Sequence, residues 1–223
     1  PCPYQSPTDM GVNMAGYCIF DDEAVCAAAR REILRRYYDA LCDRRQGKGD
    51  DSQIYKLELL LQKGKIGPEL RPVIAASNRR ADETGMPAMA IELPGGQVVT
   101  GKTTDLMGAS AAALLNALKI LAGIDHDHHL ISKEAIEPIQ TVKVKHLGST
   151  NPRLHSDEIL VALASSATLN PQASQALAQL SALRGCEAHS SVILSPADAV
   201  TYKKLGLRLT CEPQYQTNKL YHR

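Results

Sequence analysis

From Asp21-Asp22-Glu23 onward, Val25, Ala29, Ile33, Tyr37, Ala40 and Leu41 recur at three-to-four spacing. This predicts a helix running to about Arg45, with acids at its start and Arg44-Arg45 at its end matching the macrodipole. After a polar loop, Ile54, Leu57, Leu60 and Leu61 form the inward stripe of a second helix, about 52–63, ended by Gly64 and Gly67. A third helix follows at about 68–83, so residues 1–84 are expected to be a mainly helical subdomain.

The pattern changes at Met86. Ala88 to Leu93 and Gln97 to Thr100 flank Pro94-Gly95-Gly96, the signature of a β-hairpin with a Pro-Gly turn. A stretch from about Asp105 to Ala122 is apolar nearly all round, as a central buried helix would be, and its small residues from Gly108 to Ala113 permit close backbone approach. A helical stretch from Ser132 meets Pro138, where an interruption or kink is expected. Two more helices are predicted at about 156–168 and 172–183. The β-branched run Ser190 to Leu194, a helix from Pro196 to Leu205 and a strand from Leu207 to Cys211 predict two parallel strands joined by a right-handed crossover. The expected fold class is mixed α/β: a helical unit, then an α/β subdomain over 85–223 with a small sheet made of the hairpin and the strand–helix–strand unit.

Composition narrows the function. Apolar residues make up 44% and charged residues 22% of 223, an ordinary globular balance. With 25 basic against 24 acidic residues and a single Phe (Phe20), the chain lacks the basic field and stacking platforms of nucleic-acid binders. No apolar run is long enough to span a bilayer, so no membrane partner is expected. Six cysteines in a chain this long read as reduced thiols of a cytoplasmic protein, not as a disulfide framework. The chain opens Pro1-Cys2-Pro3, without initiator Met or signal-peptide pattern, which suggests a fragment or a processed chain.

Gly96 to Thr103 satisfies the pattern G-x-x-x-x-G-K-[ST] letter by letter. Its inner residues Val98, Val99 and Thr100 favour an extended strand, however, and Gly95-Gly96 suit a turn, so a phosphate-wrapping loop is the lesser reading. A weaker anion site remains: Gly101, Lys102, Thr103 and Thr104, where strand gives way to helix, against the plain alternative of a capped helix start. Cys186 and His189, with Cys211 at the end of the following strand, could supply three zinc ligands, although buried thiols explain the cysteines more simply. Asp9, His155, Glu187 and His189 are the candidates for proton transfer, because that role needs a tunable carboxylate or imidazole. Ser6, Thr8 and Asn13, among the glycines of the opening segment, form a candidate ligand loop. The histidines from His126 to His129 read as a solvated loop.

Several of these segments occur together in one bacterial family. Ser6 to Gly16, Leu93 to Leu115, Asn151-Pro152-Arg153-Leu154-His155, Gly185 to His189 and Leu209 to Pro213 resemble the uncharacterised family called domain of unknown function 1846. The resemblance covers essentially the whole chain. It implies a protein about twice this length, of which this would be the C-terminal half, with the N-terminal half as partner. It also implies a helical subdomain beside an α/β subdomain, and it brings no reaction, cofactor or catalytic residue with it. The leading expectation is the C-terminal part of a cytoplasmic enzyme that binds a phosphorylated metabolite or nucleotide. The alternatives are a non-catalytic oligomerisation module with copies of itself as partner, and a zinc-dependent hydrolase or deaminase-like enzyme.

Overall fold

A computed structural model of the chain describes residues 22–216. It is mixed α/β and divides into two compact units, the break falling between Arg71 and Pro72. The first unit contains α1 (Asp22–Arg45), α2 (Asp51–Gly64) and a short 3-10 turn (Pro68–Leu70). Ala29, Ile33 and Ala40 of α1 and Ile54 and Leu57 of α2 are buried, as the spacing predicts, and Leu34, outside that stripe, is buried as well. Leu59 and Leu60 are exposed, so the inward stripe of α2 is narrower than expected. Asp50 caps α2 through Ser52 N at 3.0 Å. The left-handed residue that closes α2 is Lys65 (φ 50°), one position beyond the glycine.

The second unit carries α3 (Pro72–Thr84), β1 (Ala88–Glu92), β2 (Val98–Lys102), α4 (Ala109–Leu121), α5 (Lys133–Thr141), α6 (Ser156–Ser166), α7 (Pro171–Leu177), β3 (Glu187–Ser190), α8 (Pro196–Leu205) and β4 (Arg208–Cys211). The strands form one sheet in the order β2-β1-β3-β4. β1 is antiparallel to β2 and β3, and β3 is parallel to β4. The hairpin turn is closed by Gly96 N on Leu93 O (3.0 Å), with Gly95 at φ 97°, where a side chain would be strained. Pro138 lies inside α5, which is followed by a single π-helical turn over 142–146.

One face of the sheet, with Met89, Ile91, Val99 and Ala188, packs on α4, behind which lie α6 and α7, while α8 packs against β4 and α6. The alternate residues face α3, whose Asn78 reaches Glu212 at the end of β4. Gly101 explains how closely α4 lies: a Cβ there would stand 2.1 Å from Ala113 N. Ala111, Ala113 and Ala117 on the facing helix are fully buried, which the uniform apolarity of the sequence anticipates.

Of the boundaries that differ from expectation, two shape the site. α4 begins at Ala109, not near Asp105, because residues 103–107 form a loop in which Thr104 Oγ1 accepts from the N–H groups of Leu106 and Met107. β3 ends at Ser190, before the β-branched run that suggested it. The ladder stops at Ser191: its N–H still reaches Ala88 O (2.9 Å), but Ala88 N donates to Ser191 Oγ (3.0 Å) and not to the Ser191 carbonyl, which accepts from Gln214 Nε2 (2.6 Å). Val192, Ile193 and Leu194 are thereby released from the sheet to a different use.

Candidate functional site

That released segment lines a cavity of about 270 Å³ at the C-terminal ends of the parallel strands β3 and β4. This is where open α/β sheets tend to bind ligands. Around it stand the loop 149–155, the start of α4, the start of α8, and Tyr215 and Gln216 beyond β4.

At its floor is Asp198, 5% exposed, in the first turn of α8. A carboxylate three residues after an N-cap usually turns back to the cap's own N–H. Here Asp198 instead gathers donors from three helix starts. Ser110 Oγ of α4 donates to its Oδ1 (2.8 Å), as do Ser156 N (2.8 Å) and Ser156 Oγ (2.7 Å) of α6. Its Oδ2 meets His155 Nδ1 at 2.8 Å and accepts from Ser195 Oγ, the N-cap hydroxyl of α8, at 2.7 Å. Burial by itself would push the carboxyl up. The bonds from His155, Ser156 and Ser195 outweigh it and hold Asp198 well below the usual carboxylate range. The positive ends of α4, α6 and α8 act in the same direction.

His155 is the N-cap of α6 and a wall of the cavity. Its bond to Asp198 raises its pKa above the ordinary histidine value, against the opposing effects of burial and of Lys143. A carboxylate on Nδ1 fixes that nitrogen as the donor and leaves Nε2 as the working atom. Ser195 Oγ lies 3.2 Å from the same Nδ1, on the Asp198 side of the ring.

The strip carrying His155 is pinned along its length. Leu154 forms a parallel bridge with Met107, with Leu154 N on Leu106 O (3.0 Å) and Gly108 N on Leu154 O (3.1 Å). Arg153 Nε donates to Thr104 O (2.8 Å), and Arg153 N to Asn151 Oδ1 (3.1 Å). Lys143 Nζ holds Arg153 O (2.7 Å) and Glu158 (2.6 Å), while Glu158 accepts from His155 N (2.7 Å). The guanidinium of Arg153 therefore stands at the cavity wall with only Nε committed among the described residues. Asp198 is the sole carboxylate lining the cavity among them, and its oxygens are already engaged. The polar chemistry left for a guest is cationic and donating: Arg153, His155, Thr150, Asn151 and Gln216.

The other expected residues fall elsewhere. Gly101 and Lys102 are paired in β2, and only Thr103 of that stretch lines the cavity. The N–H groups of Thr103 and Thr104 are spent on Pro87 O (2.8 Å) and Met107 O (3.0 Å), so no phosphate-wrapping loop exists there. Glu187 and His189 lie on the sheet face away from the cavity. Glu187 is buried, 3.6 Å from Arg208, and His189 is fully buried between Thr210 Oγ1 (2.7 Å) and Glu212 Oε1 (3.2 Å). The zinc set does not assemble. Cys186, just before β3, turns its thiol to Ala182 O (3.6 Å) within the core cluster that excludes His189, and Cys211 pairs beside Ser190, on the side away from His189. Among the described residues no three His, Cys, Asp or Glu side chains converge as a metal site. Asp9, Ser6, Thr8 and Asn13 lie outside the described residues.

Asp198, Ser195, Ser156 and Ser110 escaped the sequence reading. The pattern Ser195-x-x-Asp198 was visible as a helix start, but nothing local shows a cap residue serving as a hub. No helix among the described residues is long and apolar enough to cross a membrane.

The C-terminal domain model of the domain of unknown function DUF1846 matches residues 69–221, and the N-terminal domain model matches residues 1–65. The chain belongs to this family, and it holds more than the C-terminal domain alone. It is 51% identical over 221 residues to a UPF0371 protein of Streptococcus thermophilus (strain CNRZ 1066), covering 99% of this chain and 45% of that protein. A UPF0371 protein of Corynebacterium urealyticum is also 51% identical, with 44% of its length covered. One of Streptococcus pyogenes serotype M5 is 49% identical, with 45% covered. The chain thus spans less than half the length of these curated relatives.

Proposed function

We propose that this DUF1846-family chain carries the anion-binding, acid–base part of a cytoplasmic enzyme that acts on a phosphorylated small molecule. The observation that carries this reading is His155, locked through Nδ1 to Asp198 at 2.8 Å on the wall of a cavity whose uncommitted polar groups are cationic or donating. In it, Arg153 pairs with the anionic group, because a guanidinium offers a planar fork to phosphate oxygens. His155 moves a proton at Nε2, and Asp198 fixes its tautomer and balances the imidazolium. The rest of the protein, more than half of the relatives' length, supplies further groups to the substrate.

The test is calorimetric or thermal-shift titration of the complete protein with inorganic phosphate and simple phosphate monoesters. Losing one charge-assisted contact costs about 1.5–3 kcal/mol, so Arg153→Ala should weaken phosphate at least about tenfold. Lys102→Ala should leave the affinity within about twofold, since Lys102 stands outside the cavity. Because the His155 pKa is raised, the imidazolium gains population as pH falls, so affinity should strengthen toward lower pH and the trend should flatten in His155→Gln. No anion binding at all, or an Arg153→Ala variant that binds as the wild type does, would remove the basis of the reading.

A further inference from the structure

We infer that Nε2 of His155 is a nucleophile that accepts a phosphoryl group from a phosphate monoester, so that the enzyme passes through a phosphohistidine. This rests on the anion-site reading above and gives Nε2, in its neutral form, a covalent step in place of proton transfer.

In a Ser–His–Asp arrangement the serine stands on the nitrogen remote from the aspartate, where the histidine can take its proton. Here the three hydroxyls of the cluster, Ser110, Ser156 and Ser195, all donate to Asp198 itself, at 2.7–2.8 Å. Ser195, the hydroxyl near the ring, is 3.2 Å from Nδ1, on the wrong side to be activated. Nε2 meets no partner among the described residues and is not a buried orphan. With a proton held on Nδ1 by Asp198, Nε2 presents a lone pair to the cavity. Arg153, anchored through Nε to Thr104 O, keeps its terminal nitrogens for the phosphoryl oxygens.

In the step, the Nε2 lone pair attacks phosphorus, an Nε2–P bond forms and the ester P–O bond breaks. The electron pair leaves with the ester oxygen, which takes a proton from water. The Nδ1 proton stays in its bond to Asp198, whose charge compensates the phosphoimidazolium. Attack of water on phosphorus then forms a P–O bond, breaks the Nε2–P bond, returns the lone pair to Nε2 and releases phosphate, and the proton the water loses neutralises the hydroxide left by the first step.

The test uses phosphoramidate, a direct phosphoryl donor to imidazole, on the complete protein at mildly alkaline pH. Intact mass and peptide mapping are read under alkaline conditions, because phosphohistidine is acid-labile. The expected result is one phosphoryl group per chain on the peptide containing His155, formed before any label on the exposed His126 or His129 and lost in His155→Gln. The site is mapped on the wild-type protein, so the result does not depend on that variant folding. Label only on exposed histidines, with phosphate still binding and Arg153→Ala still weakening it, overturns the nucleophile and leaves the anion site standing. Neither label at His155 nor phosphate binding overturns both.

Discussion

Replacing Asp198 by alanine removes at once the acceptor for five donors: Ser110 Oγ, Ser156 N, Ser156 Oγ, Ser195 Oγ and His155 Nδ1. The Ser156 amide has no freedom to turn away, and Ser156 is fully buried. The hydroxyls can rotate, and water from the adjoining cavity can occupy part of the vacated space. Each buried donor left unpaired costs about 1–3 kcal/mol, and breaking a buried charge-assisted pair costs about 3–5 kcal/mol. We expect a net loss of about 3–5 kcal/mol, nearer the pair figure than the sum because of that relief. With a urea slope of about 2 kcal/mol/M, the midpoint should move down by roughly 2 M with the slope unchanged. The pH dependence gives a second reading. The carboxyl pKa is lower in the folded chain, so this stabilisation is present above the unfolded value of about 3.9 and is lost as pH falls through the folded one. The His155 pKa is raised, so its share is complete below about 6.5 and is lost as pH climbs through the folded value. The coupling between the two residues should therefore peak at about pH 4–6.5. A loss below about 1 kcal/mol, or strictly additive effects of Asp198→Ala and His155→Ala, would refute the hub.

Two further changes test the frame around the site. Gly101→Ala would set a methyl 2.1 Å from Ala113 N, so α4 must shift, at a cost of about 1–3 kcal/mol. Thermal unfolding should show this as a drop of roughly 3–10 °C, and an unchanged melting temperature would mean that α4 lies further from β2 than described. Glu212→Gln weakens the acceptor shared by His189 Nε2 (3.2 Å) and Asn78 Nδ2 (2.8 Å) on the other sheet face, costing about 1–3 kcal/mol while leaving phosphate affinity intact. The bond from His189 holds the Glu212 pKa below its ordinary value against burial, so the wild-type advantage should shrink as pH falls through the carboxylate range. A loss of phosphate binding in this variant would tie the two sheet faces together and contradict their separate roles.

The sequence by itself determined the local elements, because what makes them is local. A 3.6-residue apolar period places α1 and α2, Pro94-Gly95-Gly96 bends the hairpin, and the uniform apolarity around Leu114 marks α4 as central. His155 and Arg153 could be singled out as residues of the right chemistry, His155 as a proton-transfer candidate and Arg153 only within a family motif. Their neighbours could not. The hub joins Asp198 to Ser110, 88 residues away, and to His155, 43 residues away, and no periodicity or turn signal spans such distances. The sheet register likewise decided against the zinc set, since no string shows that Cys211 pairs beside Ser190, on the side away from His189. Even the run Val192 to Leu194 misled as a strand, because whether a β-branched segment pairs depends on what stands beside it. Here Ala88 N donates to the Ser191 hydroxyl and Gln214 Nε2 to the Ser191 carbonyl, so the ladder ends and the segment leaves the sheet to line the cavity.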